Sequence, residues 1–352
     1  MHNNQQTTAL QGDLSSAEKF IWISYLLIVL LSSVLGDTVI LVASIKYKAF
    51  RLHEFVVTVI QHIAVCDLLL GIRTVLFRIV PIIAEEWILG DILCFVNAYS
   101  STYLFTASFL LVCVLTISKA VLLKYPLRTS SMTIQRAHLI CALTWMCSFS
   151  LPLSWVIVDK YDIFIDARVL LCRYHFSAEI WRTLSIPGHL LVIGLITFVV
   201  CASVHSVVIL AKAKKAGEKS GEVIKWQGVT TIVMTLIILI IALVPTIVFH
   251  LVERYQSVED QYKLYKSARI TTALFMLTVM SNFYIYCLTV SSFRQFLRAR
   301  FHEMSSRVLF LIMSKLGRPG RGTGHYELRN ESSRASFRRS TQRRDDIQLE
   351  PV

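Results

Sequence analysis

The chain has 352 residues, of which 55% are hydrophobic and 17% charged; a soluble domain carries about 25% charged residues. The formal charge of +13 would suit nucleic acid in a soluble protein, but here the cations sit mainly in short connectors and the tail. That pattern reads as membrane orientation and excludes a nucleic-acid partner.

Residues 1–18 are polar and lack an apolar core, so no cleavable signal peptide is expected and the first apolar block both targets and anchors the chain. Residues 1–19 form a short extracellular amino terminus. Block one runs from Phe20 to Ile45 and is followed by Lys46, Lys48 and Arg51. Block two runs from Phe55 to Val80 and ends at Pro81. Block three is the Cys94–Pro126 stretch, about thirty residues, long enough to cross a bilayer at a tilt. Block four is Ala137 to Val158. Block five is Leu184 to Leu210, followed by Lys212, Lys214, Lys215 and Lys219. Block six is Val229 to Leu251, with Pro245 inside it, and block seven is Ile270 to Val290. In lipid only helices or closed barrels satisfy their own backbones, and these blocks lack period-two alternation, so each is expected to be a helix. The fold class is an all-α membrane protein, a seven-transmembrane helix bundle over residues 20–290.

Seven spans put the termini on opposite sides. The connectors after blocks one, three and five are rich in Lys and Arg, as is the tail; the other side carries Glu85, Glu86, Asp91, Asp159, Asp162, Asp166, Glu253, Glu259 and Asp260. By the positive-inside rule the amino terminus is extracellular and the tail cytoplasmic. Residues 291–303 place Phe293, Phe296, Leu297 and Phe301 at helical spacing against Arg294, Arg298 and Arg300, an amphipathic helix suited to membrane lipids at the inner leaflet. Residues 304–352 read as a disordered basic tail, with the apolar piece Val308 to Met313 as an exception that would rest on the membrane. In it, Ser336 and Ser340 resemble sites for basophilic kinases. The sequon at Asn330 falls on the cytoplasmic side and should be silent.

Eight cysteines show neither zinc-site spacing nor a disulfide-dense pattern. Cys66, Cys113, Cys141, Cys147, Cys201 and Cys287 lie within apolar blocks and read as buried free thiols. Cys94 and Cys172 fall at or beyond the outer edges of blocks, where an oxidising compartment allows a disulfide.

Asp37, Asp67, Arg73 and Arg78 all lie inside apolar blocks. A charge at mid-membrane costs about 2.5–3.5 kcal/mol on insertion scales, so these side chains are expected to face the bundle interior and find partners. Asp67 and Arg78 are eleven residues apart, which on an unbroken helix sets them within about 20° of each other, while Arg73 points roughly 120° away from Asp67. Arg78 either stands in the interior above Asp67 or snorkels outward to pair with Glu85 or Glu86.

Taken in order, several landmarks resemble the rhodopsin-like (class A) G-protein-coupled receptors over residues 20–302. Gly36-Asp37 resembles the Gly-Asn pair of the first helix. His62 to Leu68 resembles the second-helix Leu-x-x-x-Asp motif, with Ile63 in the leucine's place. Trp87-Ile88-Leu89-Gly90 followed by Cys94 resembles the first outer-loop pattern. Lys119 stands at the family's spacing from Cys94 to the arginine of Asp-Arg-Tyr, and Pro126 follows it at the spacing of the inner-loop proline. Trp145, Cys172 and Pro245 match the fourth-helix tryptophan, the second outer-loop cysteine and the sixth-helix proline. Asn282-Phe283-Tyr284-Ile285-Tyr286 resembles Asn-Pro-x-x-Tyr with the proline lost, and Phe293 follows at the family's spacing.

The resemblance implies a Cys94–Cys172 disulfide and a sodium pocket lined by Asp67, Ser108 and Asn282, with Asp37 in the same negative layer. A water-filled polar network without a specific ion is the alternative, and no other metal or cofactor is implied. It also implies a ligand site around Arg78, Ser101, Phe105, Thr246, His250 and Thr272, and a switch and G-protein coupling region at Ser118, Lys119, Ala120, Pro126, Pro245 and Tyr286. Ser101 stands where amine receptors carry an aspartate, and Met276 where opsins carry their lysine, so amines and retinal are disfavoured. Arg78, together with Arg73, would favour an anionic or carboxylate-bearing ligand, and a small acid, a lipid or a peptide remains.

Three departures bear on signalling. Leu243 and Leu239 replace the toggle aromatics of helix six. Ser118-Lys119-Ala120 replaces Asp-Arg-Tyr. Lys225 stands where the family often has an acid. Lysine keeps arginine's charge but not its planar fork. The expected function is a plasma-membrane receptor that binds an extracellular ligand and activates a heterotrimeric G protein through movement of helix six, with arrestin and receptor kinases as partners at the tail. The alternative is a receptor-fold protein that binds ligand with little or no G-protein coupling, as a scavenger or arrestin-biased receptor. No internal repeat, metal-ligand cluster or nucleophile triad is visible, so a transporter, a channel or an enzyme is not expected.

Overall fold

The computed structural model describes residues 15–47, 53–125, 132–158, 162–166, 171–175, 194, 197–198, 200–208, 222–255 and 265–316. Among them are six helices long and apolar enough to cross a membrane. These are α1 (Ser16–Ile45), α2 (Glu54–Ala84), α3 (Gly90–Lys124), α4 (Ile134–Val158), α6 (Glu222–Tyr255) and α7 (Tyr265–Thr289). The helical stretch α5 (200–208) belongs to the fifth apolar block, most of which lies outside the described residues. A hairpin, β1 (Asp162–Asp166) and β2 (Leu171–His175), follows α4, and α8 (Ser291–Leu316) follows α7. Apolar side chains cover the exterior as well as the core: Phe20 is 73% exposed, and Leu35, Leu139, Met146 and Leu288 also face outward. A water-soluble bundle would hide such groups; a bilayer solvates them.

α1 starts at Ser16, four residues before the apolar block, because Ser15 and Glu18 form a capping box. Ser15 Oγ accepts from the Glu18 N–H at 3.3 Å, and Glu18 Oε2 accepts from the Ser15 N–H at 3.1 Å. The boundary expected at residue 19 therefore moves outward.

α2 does not end at Pro81. Proline has no N–H for the carbonyl four residues back, and its ring crowds that carbonyl. A π turn, Val75–Ile79, spans that point, and α-helix resumes over Val80–Ala84. The helix stops where Glu85 takes a left-handed conformation (φ 63°); its carboxylate pairs with Lys19 on α1. A π turn takes in an extra residue and rotates everything beyond it. The helical alignment of Arg78 with Asp67 is therefore lost.

Small residues let the helices approach. A Cβ on Gly71 would lie 2.5 Å from Ser33 Oγ, and one on Gly36 would lie 2.7 Å from Phe283 Cβ. These two glycines set the α1–α2 and α1–α7 contacts, and polar groups join them: Ser33 Oγ lies 2.9 Å from the Asp67 carbonyl, and Tyr25 Oη donates to the Ala273 carbonyl at 2.6 Å. Between α2 and α4, Trp145 Nε1 donates to His62 Nδ1 at 3.2 Å. That bond makes Nδ1 the acceptor, so neutral His62 carries its proton on Nε2, 3.3 Å from His138 Nδ1.

α8 leaves α7 without a break in hydrogen bonding. Val290 N–H bonds the Tyr286 carbonyl and Arg294 N–H bonds that of Val290. Arg294 Nη1 donates to the last carbonyls of α7, at Cys287 (3.2 Å) and Leu288, where a cation also meets the negative helix end. Phe293 is buried, and Phe296 lies 5.2 Å from the Tyr47 ring. Residues from Ala299 onward form a separate unit. Its helix runs past the expected end at residue 303 to Leu316, so 304–316 are helical rather than disordered tail. Glu303 explains the continuation: it pairs with Arg300 and Arg307, each at 2.6 Å, one helical turn either way. The hydrogen bond from Arg300, with the charges of both arginines, holds the Glu303 carboxyl below its usual range. Gly317 and Pro319 then supply the stop signals. The amino terminus to residue 14, and Asn330, Ser336 and Ser340, lie outside the described residues.

Replacing Gly36 by Val is expected to push α1 from α7, because the opposing atom is a Cβ that cannot move without its backbone. A melting temperature of the purified protein at least several degrees below wild type checks this; a surface Gly90→Ala control tests strain alone.

Candidate functional site

The site can be built in layers along α3. At its amino-terminal end Cys94 is disulfide-bonded to Cys172, with Cα atoms 5.2 Å apart. Cys172 sits on β2 opposite Ile165 of β1, so the bond ties the hairpin to the helix. Both sulfurs are buried against Ala98 and Trp87. Trp87 is fixed by a 3.0 Å hydrogen bond from Nε1 to the Gly90 carbonyl, and by stacking on Phe77 at 6.2 Å.

One turn further along α3, Arg73, which the sequence expects to face the bundle interior, meets partners that the sequence did not identify, Asn97 and Ser100. Arg73 is 7% exposed, and its guanidinium reaches from α2 to α3. Nη2 donates to the Asn97 carbonyl (3.0 Å) and side-chain Oδ1 (2.6 Å), and Nε donates to Ser100 Oγ (3.1 Å). Arg73 does point away from Asp67 around α2, yet both are buried. α2 packs against α1, α3, α4 and α7, so more than one of its faces is interior. Arg78, expected as the interior cation, is half-buried in the π turn. The one available signal was the i, i+3 pair Asn97 and Ser100 close below Cys94.

Below lies a cavity between α3, α6 and α7, with about 480 Å³ of atom-free space, part of it open to the exterior. Its walls include Leu70, Phe105, Leu239, Leu243 and Phe275, and its floor Ser108 and Asn282. Phe105 and Phe275 meet edge to face at 4.9 Å. Of the residues expected to bind ligand, Phe105 lines this cavity. Ser101, Thr246 and Thr272 are half-buried, and Thr246 Oγ1 donates to the Ala242 carbonyl. The side chain of His250 is outside the described residues.

The floor is a polar layer around Asp67, which is 1% exposed. Ser108 Oγ donates to Asp67 Oδ1 at 3.2 Å, and Asn282 Nδ2 donates to Oδ2. Ser33 Oγ lies 3.0 Å from Asp37 Oδ2 and also faces the Asp67 carbonyl, so it links the two acidic residues. α3 and α7 thus meet α2 at the Asp67 carboxylate, and α1 joins at its backbone carbonyl. Ser33 was missed, although it stands one helical turn before Asp37.

At the far end of α3, Ser118 donates to the Val114 carbonyl at 2.6 Å, which leaves its hydroxyl proton turned into its own helix. Lys119 is 6% exposed, and no ion pair among the described residues involves it. Ala120 is half-buried and Tyr286 buried. Pro245 lies inside α6, and Pro126 is outside the described residues. Near this end Thr231 on α6 and Thr289 on α7 are 2.8 Å apart. Thr289 Oγ1 also lies 2.7 Å from the Ile285 carbonyl, and either hydroxyl can be the donor between the helices.

Buried charge on apolar helices, a stapled hairpin and a polar floor beneath a cavity describe a multi-pass membrane receptor. The 7 transmembrane receptor (rhodopsin family) matches residues 36–300, and the chain belongs to that family. The family implies a seven-helix bundle, a ligand and a G-protein partner, and it is not a family of enzymes. Curated relatives are distant. The chain is 23% identical over 200 residues to a QRFP-like peptide receptor of Branchiostoma floridae, covering 55% of this chain and 52% of that protein. It is 27% identical over 146 residues to 5-hydroxytryptamine receptor 1 of Aplysia californica, covering 39% and 32%. It is 27% identical over 139 residues to type-1 angiotensin II receptor B of Xenopus laevis, covering 38% of each. The matches thus span between a third and about half of these relatives' lengths.

The disulfide closes a loop across 78 residues, for which chain-entropy reasoning gives about 4 kcal/mol. Cys172→Ala is expected to lower the melting temperature. Reductant should bring wild type down to the variant's value and leave the variant unchanged.

Proposed function

We propose that the chain is a plasma-membrane receptor, amino terminus outside. It takes an extracellular ligand between the outer ends of its helices and passes the signal to a heterotrimeric G protein by movement of the inner end of α6. The observation that carries this reading is the distribution of polar ties. α1, α2, α3 and α7 are bound together at Asp67, whereas α6 meets that layer through the apolar side chains Leu239 and Leu243. α6 also contains Pro245, which removes a backbone hydrogen bond and permits a bend. In this reading α6, which brings no hydrogen bond to Asp67 among the described residues, is the helix that swings. The Thr231–Thr289 bond holds its inner end against α7.

The printed names of the relatives divide between peptide and amine receptors. Ser101 in place of an aspartate speaks against an amine here, so the ligand is a small acid, a lipid or a peptide. Pocket residues are Arg78, Ser101, Phe105, Thr246, His250 and Thr272. Asp67, Ser108 and Asn282, with Asp37 beside them, offer hard oxygen donors, a set that suits a sodium ion. The ion would offset the negative charge of this layer. Membrane lipids at α8, and kinases and arrestin at the tail around Ser336 and Ser340, complete the partners.

A second reading rests on Lys119. Its buried position, with the Ser118 hydroxyl turned into its own helix, removes the usual ion-pair lock and also withholds the cation from a partner. That favours a receptor with altered coupling, either raised basal output or little G-protein signalling.

Screening ligands against a G-protein dissociation readout tests the first reading. Lys119→Arg is expected to raise the response by about tenfold if a lost arginine fork limits coupling; an unchanged response with ligand bound supports the scavenger or arrestin-biased reading instead. Thr231→Val should raise basal output by freeing α6, measured as second messenger without ligand at equal surface expression. Added sodium should raise the melting temperature of wild type and not of Asp67→Asn.

A further inference from the structure

Arg73 carries a charge into the bundle and meets no counter-charge there. Its bonds go to the Asn97 carbonyl, Asn97 Oδ1 and Ser100 Oγ, all neutral oxygens. Among the described residues the ion pairs are Lys19–Glu85, Arg300–Glu303 and Arg307–Glu303, and none involves Arg73. A buried cation held by neutral acceptors is costly, because its hydration is lost and no anion offsets it. Its Nη1 makes no hydrogen bond and is not sealed from open space.

Asn97 adds a second observation. The residue is 0% exposed. Its Oδ1 is held toward the guanidinium, since the reverse orientation would set N–H groups against N–H groups. Nδ2 is thereby turned away from Arg73, and it is buried with no hydrogen-bond partner. A buried amide donor in that state is costly. The layer therefore presents a cation without an anion and donors without acceptors, directly below the Cys94–Cys172 disulfide. Leu70, about one helical turn from Arg73 on α2, lines the cavity together with Phe105 and Phe275.

We propose that Arg73, with Asn97 and Ser100, anchors a carboxylate of the ligand, whose apolar body lies toward Leu70, Phe105 and Phe275. The proposal rests on the receptor reading above and narrows its ligand to an acid. The carboxylate accepts from Arg73 Nη1 and, with a turn of the Asn97 side chain, from Nδ2. It also supplies the counter-charge. Charge-assisted bonds of this kind are the strong ones, and the planar guanidinium suits the two oxygens of a carboxylate. The acid group could belong to a small organic acid or to the free end of a peptide.

The test uses the purified full-length receptor in detergent, with sodium held constant. Melting temperature is measured with 3-phenylpropionate and with decanoate, each against its primary amide, and with a tripeptide pool bearing free or amidated carboxyl ends. Acids are expected to raise the melting temperature and amides not; whether the organic acids or the free peptide ends act identifies the source. Arg73→Gln should abolish the shift, and Arg73→Lys should weaken apparent affinity by about 10- to 100-fold. Asn97→Asp builds the carboxylate into the protein beside Arg73. It should raise the melting temperature of the ligand-free receptor and remove the response to acids, so the proposal stays open to refutation even if Arg73→Gln does not fold. Amides acting as well as acids, a full acid response in Asn97→Asp, or no response to any probe would overturn it. A receptor that releases G protein in response to a ligand without an acidic group loses this proposal but keeps the receptor reading. An Arg73-dependent acid response without any G-protein release does the reverse.

Discussion

Asp67 cannot face lipid. A carboxylate in hydrocarbon must find donors within the protein, and three other helices bring polar groups to this residue: Ser33 from α1 at its carbonyl, Ser108 from α3 and Asn282 from α7 at its carboxylate. Packing between apolar helices in a bilayer lacks a hydrophobic driving force, since lipid tails are as apolar as leucine. The polar layer therefore does what a buried core does in a soluble protein, fixing which helices are neighbours and in what rotation. Gly36 and Gly71 allow the backbones close enough for those bonds to form.

The same constraint distinguishes the helices joined at Asp67 from α6. Helices joined at Asp67 are held by hydrogen bonds whose loss would strand a charged group. α6 meets the layer mainly through aliphatic side chains, which slide without leaving a donor unsatisfied. Its bond to α7 at Thr231 and Thr289 involves two neutral hydroxyls. A break there costs far less than a break at Asp67. The cost of separating each pair of helices follows from where the polar groups are placed.

Two buried cations mark the ends of α3. Arg73 approaches the disulfide end from α2, and Lys119 lies near the far end of α3 itself. Neither has a carboxylate partner among the described residues. In a protein that must shed most charge to enter a bilayer, such residues are costly to keep.

Much of the fold was legible from residue order. Apolar blocks of membrane length specify the membrane-spanning helices on local grounds. The disulfide pairing and the Asp67–Ser108–Asn282 grouping were readable only through family landmarks, because no local rule brings residues of three helices together. What the linear sequence concealed depends on interruptions and neighbours. Pro81 reads as a stop, yet a π turn carries α2 past it and turns Arg78 away from its helical alignment with Asp67. Arg73 reads as pointing away from the acidic face, yet α2 is enclosed by four helices and that second face is also interior. The sequence by itself determined that the charges must be buried, because the bilayer leaves no alternative. Only the tertiary structure decided which partners they meet, because that depends on how many faces of a helix its neighbours cover.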